Sequence, residues 1–197
     1  MKEDLFSVPL RRYHIDNNDD FSDFTNELWK ENRFSMPSPF LSPVPRINPT
    51  LGQVYSDVIE EFLSDIGCYD THVCGINGMI LKILEKGEST DRFDTLPSHY
   101  TLIHYIEVDE GSASDTFHHP ARPFINAFRP SDVPDEWKEA CGLYINTGDV
   151  IIYPSYIEHS SPVYGGSKKR VTMTLPLILE PVNEQGREAN TEEPASE

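Results

Sequence analysis

Cysteine is scarce in this chain of 197 residues, and basic residues are few. The three cysteines, Cys68, Cys74 and Cys141, are an odd number with no CxxC spacing, so neither a disulfide framework nor a zinc knuckle is implied. Three reduced core thiols are expected, because free cysteine packs as a small hydrophobe. Lys and Arg number 16 against 33 Asp and Glu, a formal charge of −17. That balance argues against duplex nucleic acid, whose phosphates are repelled, and against anionic membrane surfaces. No stretch reaches the roughly 18 apolar residues of a membrane span, and Met1-Lys-Glu-Asp-Leu5 has no apolar signal core. A reducing, cytoplasmic setting is therefore expected. No internal repeat is visible.

What is present is enough for one packed domain. Hydrophobic residues make up 38% and aromatics 11%, too much for a wholly disordered chain. Leu5 to Leu10 reads as a short edge strand. From Asp19 to Phe34 the pattern is helical, with Phe21, Phe24, Leu28 and Trp29 on one face. Met36 to Pro49 carries prolines 37, 39, 43, 45 and 49, which predicts an extended surface connector. Thr50 to Ile66 is a second amphipathic helix, with Gly67 as its stop.

After Gly67 the pattern changes to short runs of β-branched and aromatic residues. They are 71–74, 78–84, 100–108, 142–145, 149–153, 157–160 and 170–179, separated by Gly, Pro, Asn and Asp. Seven such runs predict an antiparallel sandwich or barrel of jelly-roll type packed on two helices. The tail from Asn183 has five Glu against one Arg and no apolar periodicity, so disorder is expected there. One domain over residues 1–180 is the expectation, with helices in 19–66 and the barrel in 71–180.

The sharpest segment is Asn146-Thr-Gly-Asp-Val-Ile-Ile-Tyr-Pro-Ser-Tyr-Ile-Glu-His159, followed by Lys168-Lys-Arg170-Val-Thr172. The turn at Gly165-Gly166 predicts that His159 and Arg170 lie on adjacent antiparallel strands, within reach of one ligand. A neutral imidazole is a common metal ligand, and a guanidinium fork suits a carboxylate. The pair suggests a metal together with a dicarboxylate. The plainer alternative is a strand-capping histidine and a surface charge.

This stretch resembles the distal half of the Fe(II)/2-oxoglutarate-dependent dioxygenases, whose double-stranded β-helix carries a late His ligand and, about ten residues on, a carboxylate-binding Arg. Ile80-Leu-Lys-Ile-Leu-Glu-Lys-Gly87 and Tyr100-Thr-Leu-Ile-His-Tyr-Ile-Glu-Val-Asp-Glu-Gly111 are similar to earlier strands of the prolyl-4-hydroxylase-like members. The opening Leu-Phe-Ser-Val-Pro-Leu10 is similar to a subfamily of small oxygenases common in bacteriophage genomes. The resemblance implies Fe(II) and 2-oxoglutarate as cofactors and a hydroxylase acting on a small-molecule or peptidyl substrate. It places the protein in a bacterial or phage-infected cell. It implies that Tyr105, Arg170, Thr172 and Thr101 contact 2-oxoglutarate, and that Asp94 and His159 hold the metal.

The family's first metal motif is His-X-Asp or His-X-Glu. Here Arg92-Phe93-Asp94 stands in its place, with Arg92 where the His belongs. A guanidinium has no free lone pair and cannot ligate iron. The third ligand is then Asp91, His99 or His104, or iron binds through two protein ligands, or the site is inactive. Alternation along Tyr100–Val108 puts Tyr105 and His104 on opposite faces; the resemblance implies that Tyr105 points into the barrel, which turns His104 outward and leaves His99, in the loop before the strand, as the better third ligand. His118-His119 falls in the irregular segment 112–141, read as a loop over the barrel mouth. His14 and His72 have no partner pattern. The rival reading is an inactive jelly-roll binding module or virion component. A cupin-like protein would want an early His-X-His pair, which is absent.

Overall fold

The computed structural model describes residues 10–16, 18–32, 40–44, 46–109, 115–120 and 140–182. In chain order the elements are β1 (Arg11–His14), α1 (Asp19–Asn32), β2 (Phe40–Pro43), α2 (Pro49–Asp65), β3 (His72–Ile76), β4 (Ile80–Leu84), β5 (Tyr100–Glu107), β6 (Thr116–His118), β7 (Ala140–Gly142), β8 (Asp149–Pro154), β9 (His159–Ser160) and β10 (Arg170–Pro181). The large sheet runs β1-β8-β5-β10-β4-β2, with β3 paired to the far half of β10. A small sheet, β7-β6-β9, faces it. All the pairings are antiparallel, and the two sheets form the jelly roll expected.

The two helices cover the outer face of the large sheet. In α2 the side chain of Asn48 accepts the Thr50 N–H at 2.9 Å and Pro49 opens the first turn, a favourable N-terminus. At its other end Gly67 adopts φ 70°, Cys68 N–H donates to the Leu63 carbonyl and Gly67 N–H to that of Ser64. That is a Schellman stop, where a left-handed residue favours glycine. The apolar stripe of α2, Leu51, Tyr55, Val58, Ile59, Phe62 and Leu63, is buried against Leu102, Ile106, Val150, Ile152, Val171 and Met173 of the sheet. Phe21 of α1 and Tyr55 of α2 close on His104, whose Nδ1 lies 3.0 Å from the Tyr55 hydroxyl. His104 is thus a packing residue of the helical face, as the resemblance and the strand alternation together implied.

Several expectations need correction. Within the proline-rich connector, Phe40–Pro43 is an edge strand on β4; an edge tolerates proline because one side of its backbone needs no partner. The N-terminal strand is Arg11–His14, whereas the expected run lies outside the described residues except for Leu10. The strand expected at 142–145 is Ala140–Gly142, and that at 157–160 shortens to His159–Ser160. β9 and β10 are not adjacent strands: one belongs to the small sheet and the other to the large. The cysteines are free as expected but not in the core, since Cys68 and Cys74 are half-buried and Cys141 is exposed. The loop expected at 112–141 contains β6 and the start of β7, with 121–139 outside the described residues, as is the tail beyond residue 182. No helix among the described residues is long and apolar enough to cross a membrane.

Phe21 is fully buried between Tyr55 and His104. Phe21→Ala is expected to cost about 3–5 kcal/mol, the range for emptying a buried aromatic site. Urea unfolding of the variant checks this; a loss under about 1 kcal/mol would show that α1 is not part of the cooperative core.

Candidate active site

Side chains of a strand alternate between faces, and the large sheet uses both. Along β5, Leu102, His104 and Ile106 face the helices, while Thr101, Ile103 and Tyr105 face the barrel interior. Along β10, Val171, Met173 and Leu175 face the helices, which turns Arg170, Thr172 and Thr174 inward. Thr172 is paired with Tyr105 on one side and with Lys82 on the other. Paired residues share a face, so Tyr105, Thr172 and Lys82 form a row across β5, β10 and β4. A bulge between Val171 and Thr172 adjusts the ladder just beside Arg170.

Asp115, immediately before β6, closes this row from the opposite side. It is fully buried. Its Oδ1 accepts from the Arg170 guanidinium and the Ser161 hydroxyl. Its Oδ2 accepts from the Tyr105 hydroxyl at 3.0 Å and from Lys82 Nζ at 3.4 Å. Lys82 also donates to Ser161 Oγ at 2.8 Å. Arg170 Cζ lies 5.5 Å from the centre of the Tyr105 ring. Among the described residues, two cations meet one carboxylate here.

The electrostatics follow from this geometry. Burial alone would raise the Asp115 pKa, but Lys82 and Arg170 hold it below the usual carboxylate range. Burial lowers that of Lys82, with Arg170 adding to the effect and Asp115 opposing it. Burial also opposes the charge of Arg170, but Asp115 outweighs it and the net direction is upward. Tyr105 is raised well above 10.0, first by burial and then by Asp115, so its proton stays on the oxygen.

His159 sits beside this cluster. Its Nδ1 is 2.7 Å from the Tyr153 hydroxyl, and its Nε2 is buried with no hydrogen-bond partner among the described residues. Burial, and then the positive charge of Lys82, push its pKa down to about 3, so the imidazole is neutral. Phe93 is directly opposite: the two residues exchange backbone hydrogen bonds of 3.0 and 2.9 Å, and their ring centroids are 4.0 Å apart. The neighbours of Phe93 therefore turn away from His159.

The structure thus gathers four of the expected residues, Tyr105, His159, Arg170 and Thr172, inside the barrel. Thr101 lies on the same face of β5, its hydroxyl bonded to Ser155 at 2.8 Å and to Thr95. Asp94 is not with them: it is exposed, and its Oδ1 accepts the Leu96 N–H at 3.2 Å. Arg92 is exposed and pairs with Glu158 at 3.2 Å. His99 is exposed, with its Nδ1 accepting the Leu179 N–H at 2.9 Å. Asp91 is also exposed. His118 Nε2 meets Ser160 Oγ at 2.9 Å. Sequence reasoning missed Lys82, Asp115, Ser161, Tyr153 and Phe93. For Lys82 a signal existed: a lone lysine inside the apolar run Ile80–Leu84.

Residues 81–175 match a family model described as "Putative 2OG-Fe(II) oxygenase". Among solved structures, a viral collagen prolyl hydroxylase from Paramecium Bursaria Chlorella virus-1, in complex with 2-oxoglutarate, superposes with TM-score 0.56 at 10% identity, covering 85% of this chain and 94% of that one. A Pseudomonas putida prolyl-4-hydroxylase gives 0.55 at 10% identity, covering 90% and 95%. The fold is that of the prolyl-4-hydroxylase-like 2OG-Fe(II) oxygenases. HygX from Streptomyces hygroscopicus, solved with nickel and 2-oxoglutarate, gives 0.56 at 9% identity, covering 86% and 82%. No curated protein matches the chain in sequence. The family uses Fe(II) and 2-oxoglutarate.

The residues present fit one of these groups better than the other. Arg170, Lys82, the Tyr105 hydroxyl and the buried, unpartnered Thr172 Oγ1 suit the far carboxylate of 2-oxoglutarate. A three-ligand iron site does not assemble from the described residues, where no group of three His, Cys, Asp or Glu side chains is placed to hold a metal. His159 Nε2 is the ring nitrogen without a partner among the described residues, and the Phe93 ring lies against the imidazole.

Two predictions follow from this geometry. His104 and His159 are both held neutral, with pKa values about 3 in the fold. In the unfolded chain each takes up a proton near pH 6.5, so the unfolded state binds more protons and stability falls with falling pH. The slope between about pH 6 and 4 should approach 2.7 kcal/mol per pH unit, two protons at about 1.36 each. Urea melts at pH 7, 6 and 5 measure it; a flat profile would mean that neither ring is buried neutral. Second, Phe93→His puts another imidazole against His159 and should raise Ni(II) affinity at least about tenfold. Arg92→His, on the outward side, should leave it unchanged. The reverse order in calorimetry would shift the register by one residue.

Proposed function

We propose that this chain is a 2-oxoglutarate- and Fe(II)-dependent oxygenase, a hydroxylase of a small-molecule or peptidyl substrate. The observation that carries the reading is the convergence of Arg170, Lys82, Tyr105 and Thr172 inside a barrel of this fold. Arg170 and Lys82 supply the charge that a carboxylate requires. Tyr105 and Thr172 supply neutral hydroxyls that fix the carboxylate plane. Complete burial strengthens each of these contacts, because competing water is excluded. His159, oriented by Tyr153, is the imidazole that would hold iron; Asp94, which the resemblance implies, and His99, its expected stand-in partner, lie at the surface. When bound, iron would supply oxygen activation coupled to decarboxylation of 2-oxoglutarate. The peptidyl alternative for the substrate draws on the prolyl hydroxylases among the structural neighbours.

A second reading is favoured by Phe93. Its ring against His159, with no three-ligand group among the described residues, suits a barrel that binds a carboxylate without metal chemistry. That would be an inactive binding module retaining the fold.

Calorimetry and product analysis separate the readings. The parent should bind 2-oxoglutarate, and Arg170→Ala should lose about 2–4 kcal/mol, the range for removing one partner of a buried charge-assisted pair. Equal binding by the two would remove Arg170 from the site. Succinate release on adding Fe(II) in air supports the oxygenase. Binding that is unaffected by Fe(II), with no succinate, supports the metal-free module.

A further inference from the structure

The carboxylate site is already filled by a residue of the chain itself. Asp115 takes hydrogen bonds from Arg170, Ser161, Tyr105 and Lys82. Three of these, Arg170, Tyr105 and Lys82, belong to the set that suits a ligand carboxylate. A carboxylate has two oxygens and about four lone-pair positions, and each Asp115 oxygen is engaged by two donors. A ligand carboxylate that approached Arg170 and Lys82 would meet this negative charge at hydrogen-bond range. Like charges at such range in a buried site repel strongly. The two cannot both hold the same donors.

We propose that Asp115 is a resident counter-ion that occupies the cosubstrate's carboxylate seat and must release Arg170 and Lys82 when a dicarboxylate binds. It therefore sets the affinity and the size of the ligand accepted there. This inference rests on the reading of Arg170 as a carboxylate anchor. Three features support an exchange. Among the described residues, the cluster sets two cations against one anion. Thr172 Oγ1 stands in the same row, buried and without a partner among the described residues, a hydroxyl that Asp115 does not use. Asp115 precedes the three-residue strand β6 of the small sheet, whereas its partners Lys82, Tyr105 and Arg170 are fixed on long paired strands of the large one. If the pair is to separate, the carboxylate is the member with fewer ladder bonds holding it.

The test is binding of 2-oxoglutarate in buffer with EDTA, so that no metal takes part, read by calorimetry and by melting temperature. Asp115→Asn removes the competing charge and keeps the shape. It is expected to bind 2-oxoglutarate about tenfold or more tighter than the parent. Without ligand it should melt lower than the parent, because two buried cations lose their anion. Saturating 2-oxoglutarate should then raise its melting temperature by more than it raises the parent's. A residue with a purely structural role would give the lower melting point without the gain in affinity. If Asp115→Asn fails to fold, the charge-balanced double variant Asp115→Asn/Lys82→Met carries the test. It keeps Arg170 as the anchoring cation with no resident carboxylate, and should bind at least as tightly as the parent. Parent binding with equal or weaker binding by Asp115→Asn, or, where only the double variant folds, weaker binding by that variant, overturns the inference but leaves Arg170 as anchor. Absence of 2-oxoglutarate binding in the parent and in every variant overturns both.

Discussion

The Asp115 carboxylate is the contact on which the barrel interior depends. Lys82 and Arg170 are both withdrawn from water, and a desolvated cation is tolerated only beside an anion with its remaining protons satisfied. Asp115 provides that anion for both. It also joins the two sheets, because its partners lie on β4, β5 and β10 of the large sheet and its own chain leads into β6 of the small one. Ser161, just after β9, adds a hydroxyl bridge to Asp115 and Lys82 from the small-sheet side. Jelly-roll closure and charge neutralisation are therefore achieved by the same group.

The strands of the large sheet do two jobs by alternation. One face of β5, β8 and β10 supplies the apolar core under α2, and the other supplies the polar interior. A slip of one residue in any of these pairings would exchange the two sets. It would drive Arg170 or Lys82 into the apolar core under the helices. The ion cluster and the helix packing thus specify the same register from opposite sides. The histidines show the contrast. His104 and His159 are both buried and both neutral, yet the first packs on Phe21 and Tyr55 while the second is held by Tyr153 facing the charges.

Much of this was legible in the sequence. The stripe of α2, the glycine stop and the opposite facings of His104 and Tyr105 follow from period and punctuation, while the inward Tyr105, Arg170 and Thr172 came from the resemblance. The residues that were missed fail for physical reasons. Asp115 has no local pattern, since its partners are 10, 33, 46 and 55 positions away and only tertiary contact reveals them. Lys82 was hidden by its apolar neighbours, which read as a strand whichever way the lysine points. Arg92 and Phe93 illustrate the limit of motif spacing. An isolated bridge decides which of two consecutive residues faces His159, and that bridge lies between segments 66 positions apart. The resemblance identified the right neighbourhood, while hydrogen bonds across the two sheets fixed the residue.

The cluster also bears on why the interior is polar at all. Buried ion pairs are a poor source of stability, and their replacement by well-packed apolar residues of similar volume is often neutral or stabilising. A jelly roll needs no such group to fold, because the apolar face under the helices already gives it a continuous core. Leu84 and Ile103, close along the same strands, show that inward positions accept aliphatic side chains without difficulty. A chain under selection for stability alone would extend that pattern to Lys82, Asp115 and Arg170. Retaining two cations, a carboxylate and several hydroxyls in one desolvated place is a cost to the fold, and cations with hydroxyl donors beside them are what a carboxylate ligand needs. On the function proposed, the interior is a carboxylate site whose ligand-free state is kept tolerable by its own aspartate.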